Sequence, residues 1–276
     1  MQKKQNIFMK NKMFTIYLIL AVGIILIAVF APQIATHDPS EALLTNALKS
    51  PSREHLFGTD KLGRDMFSRV IYGTRASLPA AFALVGIIFA VGSLLGIIAG
   101  YFGGWIDSVL MRLADMMVAF PGMVLAIAVA GILGASISNA VIAIALVSWT
   151  KYARMARSLV LKMKGDDYVE AARVTGSTNP HILFRYMLPS VIPTLIVTAS
   201  TDIGGMMLEL AGLSFLGFGA RPPIPEWGLM LSEGRSYMQN APWVMIFPGL
   251  AILIVVAVFN LLGDSLRDVL DPRCDD

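Results

Sequence analysis

The sequence predicts an all-α protein that crosses a membrane several times. Of its 276 residues, 56% are hydrophobic and only 15% are charged, whereas a soluble domain carries about 25% charged residues. Apolar runs recur along the whole chain, and each is close to the roughly twenty residues that a helix needs to cross a bilayer. A soluble core this hydrophobic would lack the polar surface that keeps a protein in solution.

The apolar runs predict six transmembrane helices. The first, residues 13–31, follows four lysines and is expected to stay attached, because it is long and lacks a clean small-x-small cleavage site. The other five are residues 78–100, 113–135, 137–157, 191–215 and 244–263. The chain therefore divides into an N-terminal tail (1–12), a first helix with an external loop (13–75), a five-helix core (76–263) with a polar loop at 158–190, and a C-terminal tail (264–276).

Loop charges predict the orientation, because Lys and Arg are enriched in cytoplasmic loops. With both termini inside, fourteen basic residues lie on the cytoplasmic side and eight lie outside. The dense basic run from Lys151 to Arg185 decides in favour of this arrangement. The second span also carries Gly92, Gly96 and Gly100 at four-residue spacing, which lets another helix approach closely. The partner helix belongs either to this chain or to another subunit.

Composition also excludes several classes of protein. The net charge of +3 is small, and the basic residues follow the loops, so no nucleic-acid surface is expected. A lone cysteine, Cys274, excludes internal disulfides and Cys-based metal sites. His37, His55 and His181 are far apart in the sequence, and no metal site is expected from them. The sequence has no Gly-Lys pair, so it lacks the P-loop of an ATPase; we expect neither enzyme activity nor a cofactor in this chain.

The loop before the fifth span has a recognisable organisation. It is too polar for hydrocarbon, and Tyr168–Thr175 is rich in helix-forming residues. Gly176 is a natural helix stop, and Ser177–Pro180 forms a turn that can cap a second short helix. Pro189 and Pro193 then fall near the start of the fifth span, where proline is tolerated.

This loop resembles the cytoplasmic signature of bacterial ABC importer permeases, E-A-A-x3-G-x9-I-x-L-P. Glu170, Ala171, Ala172, Gly176, Leu188 and Pro189 match it at the right spacing, with Tyr186 in place of the Ile. Three more segments are similar to the dipeptide, oligopeptide and nickel branch, and to the second, C-type permease of its subunit pair. They are His55–Asp65, Gly212–Gly228 and Phe259–Arg273.

The resemblance implies a type I ABC importer permease fold and a set of partners. The helix at Glu170–Gly176 would dock on a cytoplasmic ATPase, with Glu170 paired to Arg173 or Arg185. The complex would contain a homologous second permease, two ATPase subunits that bind ATP-Mg, and an extracytoplasmic substrate-binding protein, all at the lipid bilayer of the cytoplasmic membrane. The cargo would be nickel, a metal chelate, or di- or oligopeptides. The sequence of the segment Thr201–Leu208 is more similar to the nickel-type members. An ion-gradient-driven secondary transporter is the alternative, but no inverted repeat is found.

Polar residues in the fifth span are candidates for the translocation pathway. Asp202 and Glu209 are seven residues apart and share one helix face. A carboxylate in a membrane helix must face water or protein, so each either lines a cavity or makes an internal ion pair. Gly204-Gly205 between them can bend the helix. Met206 joins the candidates, although methionine in such a helix usually packs.

The loops outside the membrane supply the last group of candidates. Four prolines make residues 217–243 a stiff lid, and Trp227 and Trp243 can anchor it at the membrane interface. The predicted contacts with a binding protein are Asp60, Arg64, Asp65, Glu226 and Trp227. A turn held by internal ion pairs is the other interpretation of the first three.

Overall fold

The computed structural model describes residues 12–270, and this part of the chain is helical apart from loops and one isolated bridge, Thr59 to Asp65. The main helices are α1 (Lys12–Val29), α2 (Met66–Phe102), α3 (Gly104–Val118), α4 (Gly122–Leu133), α5 (Ile137–Met163), α6 (Asp167–Val174), α7 (Leu188–Phe215), α8 (Trp227–Gly234) and α9 (Trp243–Leu270). Short helical turns lie at Ala31–Ile34, Leu44–Asn46, Asn179–Ile182, Leu183–Met187 and Arg235–Tyr237. The all-α prediction is confirmed. Most of the N-terminal tail, Cys274 and the last residues of the C-terminal signature lie outside the described residues.

The long helices pack side by side and place the loops at two opposite ends. α2 and α5 make the largest contact, followed by α7 with α9 and α7 with α2. α1 lies at the edge against α9 and α2. We call one end the Asp65 end, which holds residues 35–65 and 217–242, and the other the Gly176 end, which holds residues 164–187. α8 packs against α7 and α9 at the Asp65 end.

The described residues contain four helical stretches that are long and apolar enough to cross a membrane, or five if one bent pair counts as a span. The four are α1, α2, the stretch Asn179–Phe215 that contains α7, and α9. The remaining predicted span, now α5, has 27 residues, but Lys151, Arg154 and Arg157 lower its hydropathy. The multi-pass architecture is confirmed, whereas the count of six stays a prediction.

The third predicted span, 113–135, is wrong as a single helix. The structure breaks it into α3 and α4, which meet at 92°. The break falls at Pro121, which has no backbone N–H to donate to the preceding turn. Proline also disfavours the helical conformation of the residue before it, here Phe120. The bend therefore follows from Pro121. The predicted span was based on the length of the apolar run alone, which does not take account of proline.

Several helices pass the predicted boundaries. α2 begins at Met66, so the boundary at residue 75 falls inside it, because Asp65 caps the helix and accepts a hydrogen bond from the Ser68 N–H at 2.8 Å. With 37 residues, α2 is about 55 Å long at 1.5 Å per residue and projects well beyond a bilayer core. α5 and α9 likewise continue to Met163 and Leu270.

The glycine face of α2 packs inside this chain. Gly92, Gly96 and Gly100 all lie against α5, where an added Cβ would overlap α5 atoms. At Gly96 the overlap is with the backbone carbonyl of Ala153, so α5 itself would have to move. Of the two interpretations left open by the spacing, packing within the chain is the one observed.

Replacing Gly96 by leucine is expected to separate α2 from α5 and destabilise the fold by about 1 to 3 kcal/mol, the usual range for overpacking. Gly86→Leu, on the same helix, is the matched control, because nothing lies within 4 Å of a Cβ there. Thermal unfolding in detergent should show a lower Tm for Gly96→Leu alone. Equal Tm values for the two variants would contradict this packing.

Candidate coupling and transport sites

The helix α6 ends in a well-defined glycine motif. Gly176 adopts φ +83°, its N–H donates to the Arg173 carbonyl at 3.0 Å, and the Ser177 N–H reaches the Ala172 carbonyl at 3.0 Å. These two bonds are those of a Schellman cap, which favours glycine at the left-handed position. The Thr175 hydroxyl adds bonds to the Ala171 and Ala172 carbonyls. The sequence prediction of a helix that stops at Gly176 is confirmed.

One face of α6 packs on the chain and the other faces outward. Val169 and Ala172 are buried, whereas Glu170 and Ala171 are exposed. Val174, the last residue of α6, is 88% exposed. α6 therefore presents a short surface with an apolar end. No ion pair of Glu170 with Arg173 or Arg185 is found within residues 12–270.

Tyr101, near the end of α2, connects the long helices to this loop. Its hydroxyl is 2.8 Å from Asn179 Oδ1, and its ring lies 5.7 Å from the Arg173 guanidinium and 5.9 Å from the Lys164 ammonium. A ring contacted by two cations is held by cation–π attraction. The sequence offered no sign of this anchor, because Tyr101 looks like any aromatic residue at a helix end.

The chain passes from the loop into α7 without a break. A single stretch of helix runs from Asn179 to Phe215, with π-helical turns at Leu183–Met187. α7 proper starts at Leu188, but because helix continues from Asn179, both Pro189 and Pro193 lie within a continuous helical stretch and not at a free helix start as predicted. Because proline cannot bond the preceding turn, wider π turns are a common accommodation next to it.

Asp202 makes an internal ion pair. Its carboxylate accepts hydrogen bonds from Lys151 Nζ at 2.6 Å and from the Tyr152 hydroxyl at 2.9 Å. The Asp202 side chain is 12% exposed, whereas that of Lys151 is 54% exposed. This geometry agrees with the internal-pair interpretation of Asp202 and leaves Lys151 facing outward beside it.

The other pathway candidates differ in exposure. Glu209 is exposed and makes no ion pair with another residue of the described chain. Met206 is partly buried and packs against the core. α7 continues through Gly204-Gly205 without a break, and a bend there stays a prediction. Gly204 allows close packing against Asn260 of α9.

The predicted binding-protein contacts at the Asp65 end are all buried. Asp60, Arg64 and Asp65 are at most 4% exposed, Glu226 is 5% exposed, and Trp227 is 1% exposed. In this conformation a protein docked on this end would not touch their side chains. Their burial supports the internal ion-paired turn for the first three, and it contradicts an interfacial anchor at Trp227. These side chains are buried because they connect the loop before α2 with α2 and α8.

Arg64 is the centre of this buried network. Its guanidinium contacts Asp60 Oδ2 at 2.6 Å and Glu233 Oε2 at 3.0 Å, and Lys61 contacts Glu233 at 3.3 Å. Arg69 lies 3.6 Å from Asp60 and 3.7 Å from Glu233. The network ties the loop before α2 to α8. Sequence reasoning missed Glu233 and Arg69, because nothing local marks charges that meet across 169 residues.

Glu226 and Trp227 begin α8 and join it to α2. The Glu226 carboxylate accepts the N–H groups of Gly228 at 2.9 Å and Leu229 at 2.8 Å. Burial raises the pKa of Glu226, although these N–H groups act in the opposite direction. The Trp227 indole N–H donates to the Val70 carbonyl at 3.0 Å, and its ring lies against Gly73.

Comparison with known proteins identifies the family. The model described as "binding-protein-dependent transport system inner membrane component" matches residues 92–276, and "N-terminal TM domain of oligopeptide transport permease C" matches residues 6–51. The chain belongs to this family of importer permeases. The match at residues 6–51 confirms the C-type assignment.

Curated relatives and solved structures agree with the family. The chain is 46% identical to the dipeptide transport system permease protein DppC of Alkalihalophilus pseudofirmus over 264 residues, which cover 96% of this chain and 87% of the relative. It is 46% identical to the glutathione transport system permease protein GsiD of Pectobacterium atrosepticum over 251 residues, 91% of this chain and 83% of the relative. The inward-facing MetNI methionine ABC transporter shares the fold, with a TM-score of 0.61 at 18% identity over 75% of this chain and 98% of that chain.

Family membership decides several of the expectations from sequence. The chain is a multi-pass membrane protein of a bacterial binding-protein-dependent ABC importer. ATP hydrolysis lies in partner subunits, and permeases of this family have no cofactor of their own. The alternative of an ion-gradient-driven secondary transporter is therefore wrong. Nickel has no specific support among the relatives described above.

Replacing Arg64 by alanine should leave the buried Asp60 and the partly buried Glu233 without their main cation. Breaking a buried ion pair in this way costs about 3 to 5 kcal/mol, so Arg64→Ala is expected to lower the Tm of the purified permease markedly. Arg53→Ala, an exposed arginine in the same loop, should change the Tm little. Equal Tm values for Arg64→Ala and Arg53→Ala would contradict a stabilising role of this network.

Proposed function

We propose that this chain is the C-type half of the membrane channel of a peptide importer, and that α6 transmits the movement of ATPase subunits to it. One observation carries the proposal: α6 is a short helix, closed by Gly176, that presents an exposed face at one end of a permease fold. An exposed and rigid helix of this size suits a groove on a partner protein.

The coupling residues divide into docking and rigidity roles. Glu170, Ala171 and the exposed Val174 form the face that enters the ATPase groove. Ala172 packs inward and holds α6 on its own chain, while Gly176 supplies the stop. Leu188 and Pro189 begin α7, so a pull on α6 passes through the continuous helix from Asn179 into the membrane. ATP shifts the permease only by its differential binding to the two states.

The orientation follows from the same arrangement. We infer that the Gly176 end is cytoplasmic and that both termini are inside, because the basic run of Lys151–Arg185 lies towards it. Two of the eight basic residues assigned to the outside, Arg64 and Arg69, are buried beside carboxylates. Because these two charges are neutralised, they add little to the positive charge of the external loops. The excess of basic charge on the proposed cytoplasmic side is therefore larger than the simple count indicates. The substrate-binding protein then docks at the Asp65 end.

The second permease subunit and the lipids share the remaining apolar surface. Large apolar side chains are exposed on several helices and at the α3–α4 break, including Ile132 at 87% and Val124 at 60% on α4 and Phe120 at 62% at the break. In a membrane protein such surface faces either lipid or another subunit. We infer a heterodimer with a homologous permease, on the face that carries Lys151 and Glu209.

The polar groups of that face suit a peptide. Lys151 offers an ammonium for a peptide carboxylate, and Glu209, with Asp202 behind Lys151, offers negative charge for a peptide amine. Exposed charges at membrane depth mark transport routes more often than packing. We infer that Lys151, Asp202 and Glu209 line the translocation pathway, with Met206 as an apolar neighbour. Di- or tripeptides, the cargo in the names of the DppC and GsiD relatives, are the proposed substrates.

Gly176→Leu tests the coupling role. The substitution forces a branched side chain into a left-handed position that costs about 1 to 2 kcal/mol, so the end of α6 should shift while the membrane helices stay folded. We expect more than a tenfold loss of dipeptide uptake in vesicles that contain the complete importer, with normal amounts of inserted permease.

Gly165→Leu is the matched control, because this glycine lies in the same loop, has open space and does not have positive φ. Its uptake should stay close to that of the native protein. Uptake by Gly176→Leu at the native rate would refute the coupling role. Nickel uptake in place of dipeptide uptake by the native importer would refute the substrate but leave the coupling role intact.

Glu209→Gln tests the pathway. Because Glu209 is exposed and makes no ion pair with another residue in the described part of the chain, the change should leave the Tm unaltered and reduce dipeptide uptake several-fold. An N-acetylated dipeptide, which lacks the ammonium group, should be much less sensitive. Glu54→Gln, at an exposed loop position, serves as the control. A pathway role for Glu209 is excluded if Glu209→Gln reduces the uptake of each peptide no more than Glu54→Gln does.

A further inference from the structure

Three side chains from separate segments meet at the Asp65 end. His37 follows α1, His55 lies in the loop, and Asp65 caps α2; one ligand atom from each lies within 4.8 Å of the others. His55 Nδ1 is 2.9 Å from Asp65 Oδ1, and His37 Nδ1 is 3.8 Å from the same oxygen. The two imidazole rings are 4.9 Å apart. The histidines that looked scattered in the sequence are therefore brought together by the fold.

The two histidines of this cluster differ in their exposure to solvent. His55 is 5% exposed, and its Nε2 is buried with no hydrogen-bond partner among residues 12–270. Because Nδ1 is the nitrogen that faces Asp65, Nε2 lies on the far side of the ring, and Nδ1 is the ligand atom that His55 offers to the cluster. His37, in contrast, has a side chain that is 36% exposed, so the cluster is open to solvent on one side. A buried ligand group with an open entry is the form of a cation site.

The surroundings hold the ligands in place. Asp65 Oδ2 accepts the Ser68 N–H at 2.8 Å, and the Ser68 hydroxyl accepts the His37 N–H at 3.0 Å. The Thr36 hydroxyl lies 3.0 Å from His37 Nδ1, and it is an exposed group that can rotate away. Outer contacts of this kind orient metal ligands and are a usual part of metal sites.

We propose that His37, His55 and Asp65 bind one Zn²⁺ ion. Imidazole nitrogen and carboxylate oxygen are ordinary zinc ligands, and three of them leave a fourth tetrahedral position for water. Zinc distances of about 2.0 to 2.2 Å place neighbouring ligand atoms about 3.4 Å apart, whereas the ligand atoms here lie within 4.8 Å of one another. The partly exposed His37 ring must therefore close by up to about 1.4 Å. Binding requires neutral imidazoles and releases any proton that they carry.

A bound ion would join the end of α1 to the start of α2. The helix α1 otherwise lies at the edge of the bundle, with contacts mainly to α9 and α2. Zinc at this point would fix the exit of α1 relative to the loop at the Asp65 end. Because the site lies away from α6 and from Lys151, the inference does not depend on the coupling role or on the cargo.

The test uses the complete importer, purified in detergent, stripped with a chelator and titrated with zinc chloride. Equilibrium dialysis with elemental analysis gives bound zinc per complex, and a melting curve gives the accompanying rise in Tm. His37→Ala is the main variant, because His37 is partly exposed and its loss should not prevent folding. His181→Ala is the matched control, since His181 is exposed at the opposite end. His37→Cys replaces one zinc ligand by another.

We expect the native complex and His181→Ala to bind one more zinc ion than His37→Ala, with at least a tenfold loss of affinity in the latter, and His37→Cys to retain binding. Equal zinc binding by the native complex and His37→Ala would overturn the proposal and leave only a hydrogen-bonded His55–Asp65 pair. Loss of zinc in His37→Ala that His37→Cys fails to restore would overturn the role of His37 as a ligand.

Discussion

The close contact between α2 and α5 is the constraint on which the other features of this permease depend. Because Gly92, Gly96 and Gly100 have no side chains, the backbones of the two helices meet directly. Lipid provides no hydrophobic driving force between helices, so close van der Waals packing stabilises this contact. The contact places Tyr152 of α5 next to Asp202 of α7. It also brings the end of α2, with Tyr101, to Asn179, which follows α6.

The two ends of the bundle are stabilised in opposite ways. At the Asp65 end, buried charged groups neutralise one another, and Arg64 and Lys61 link the loop to α8 through Glu233. Such a network is weak evidence for stability, but removing one of its members costs much. At the Gly176 end, α6 has few inward contacts, Val169 and Ala172 among them. A partner can grip that helix without disturbing the bundle.

The charged groups of the membrane-spanning helices lie between these two ends of the bundle. Asp202 is shielded by Lys151 and Tyr152, which lowers the cost of a carboxylate in the membrane, while Lys151 keeps much of its side chain exposed. Glu209 lies two turns further along the same helix and is exposed. A face with both signs of charge suits cargo that carries both, as the proposed pathway requires.

The sequence by itself determined the class of protein, the positions of most long helices, the helix that stops at Gly176 and the family, because these depend on local composition and on fixed spacing. Even the bend at Pro121 was present in the sequence as a local signal. Only the tertiary structure decided which charges meet. Arg64 with Glu233, Lys151 with Asp202 and His37 with His55 are joined by packing between distant segments. Local pattern carries no information about such pairs, since the register of one helix against another depends on side-chain shapes along the whole contact.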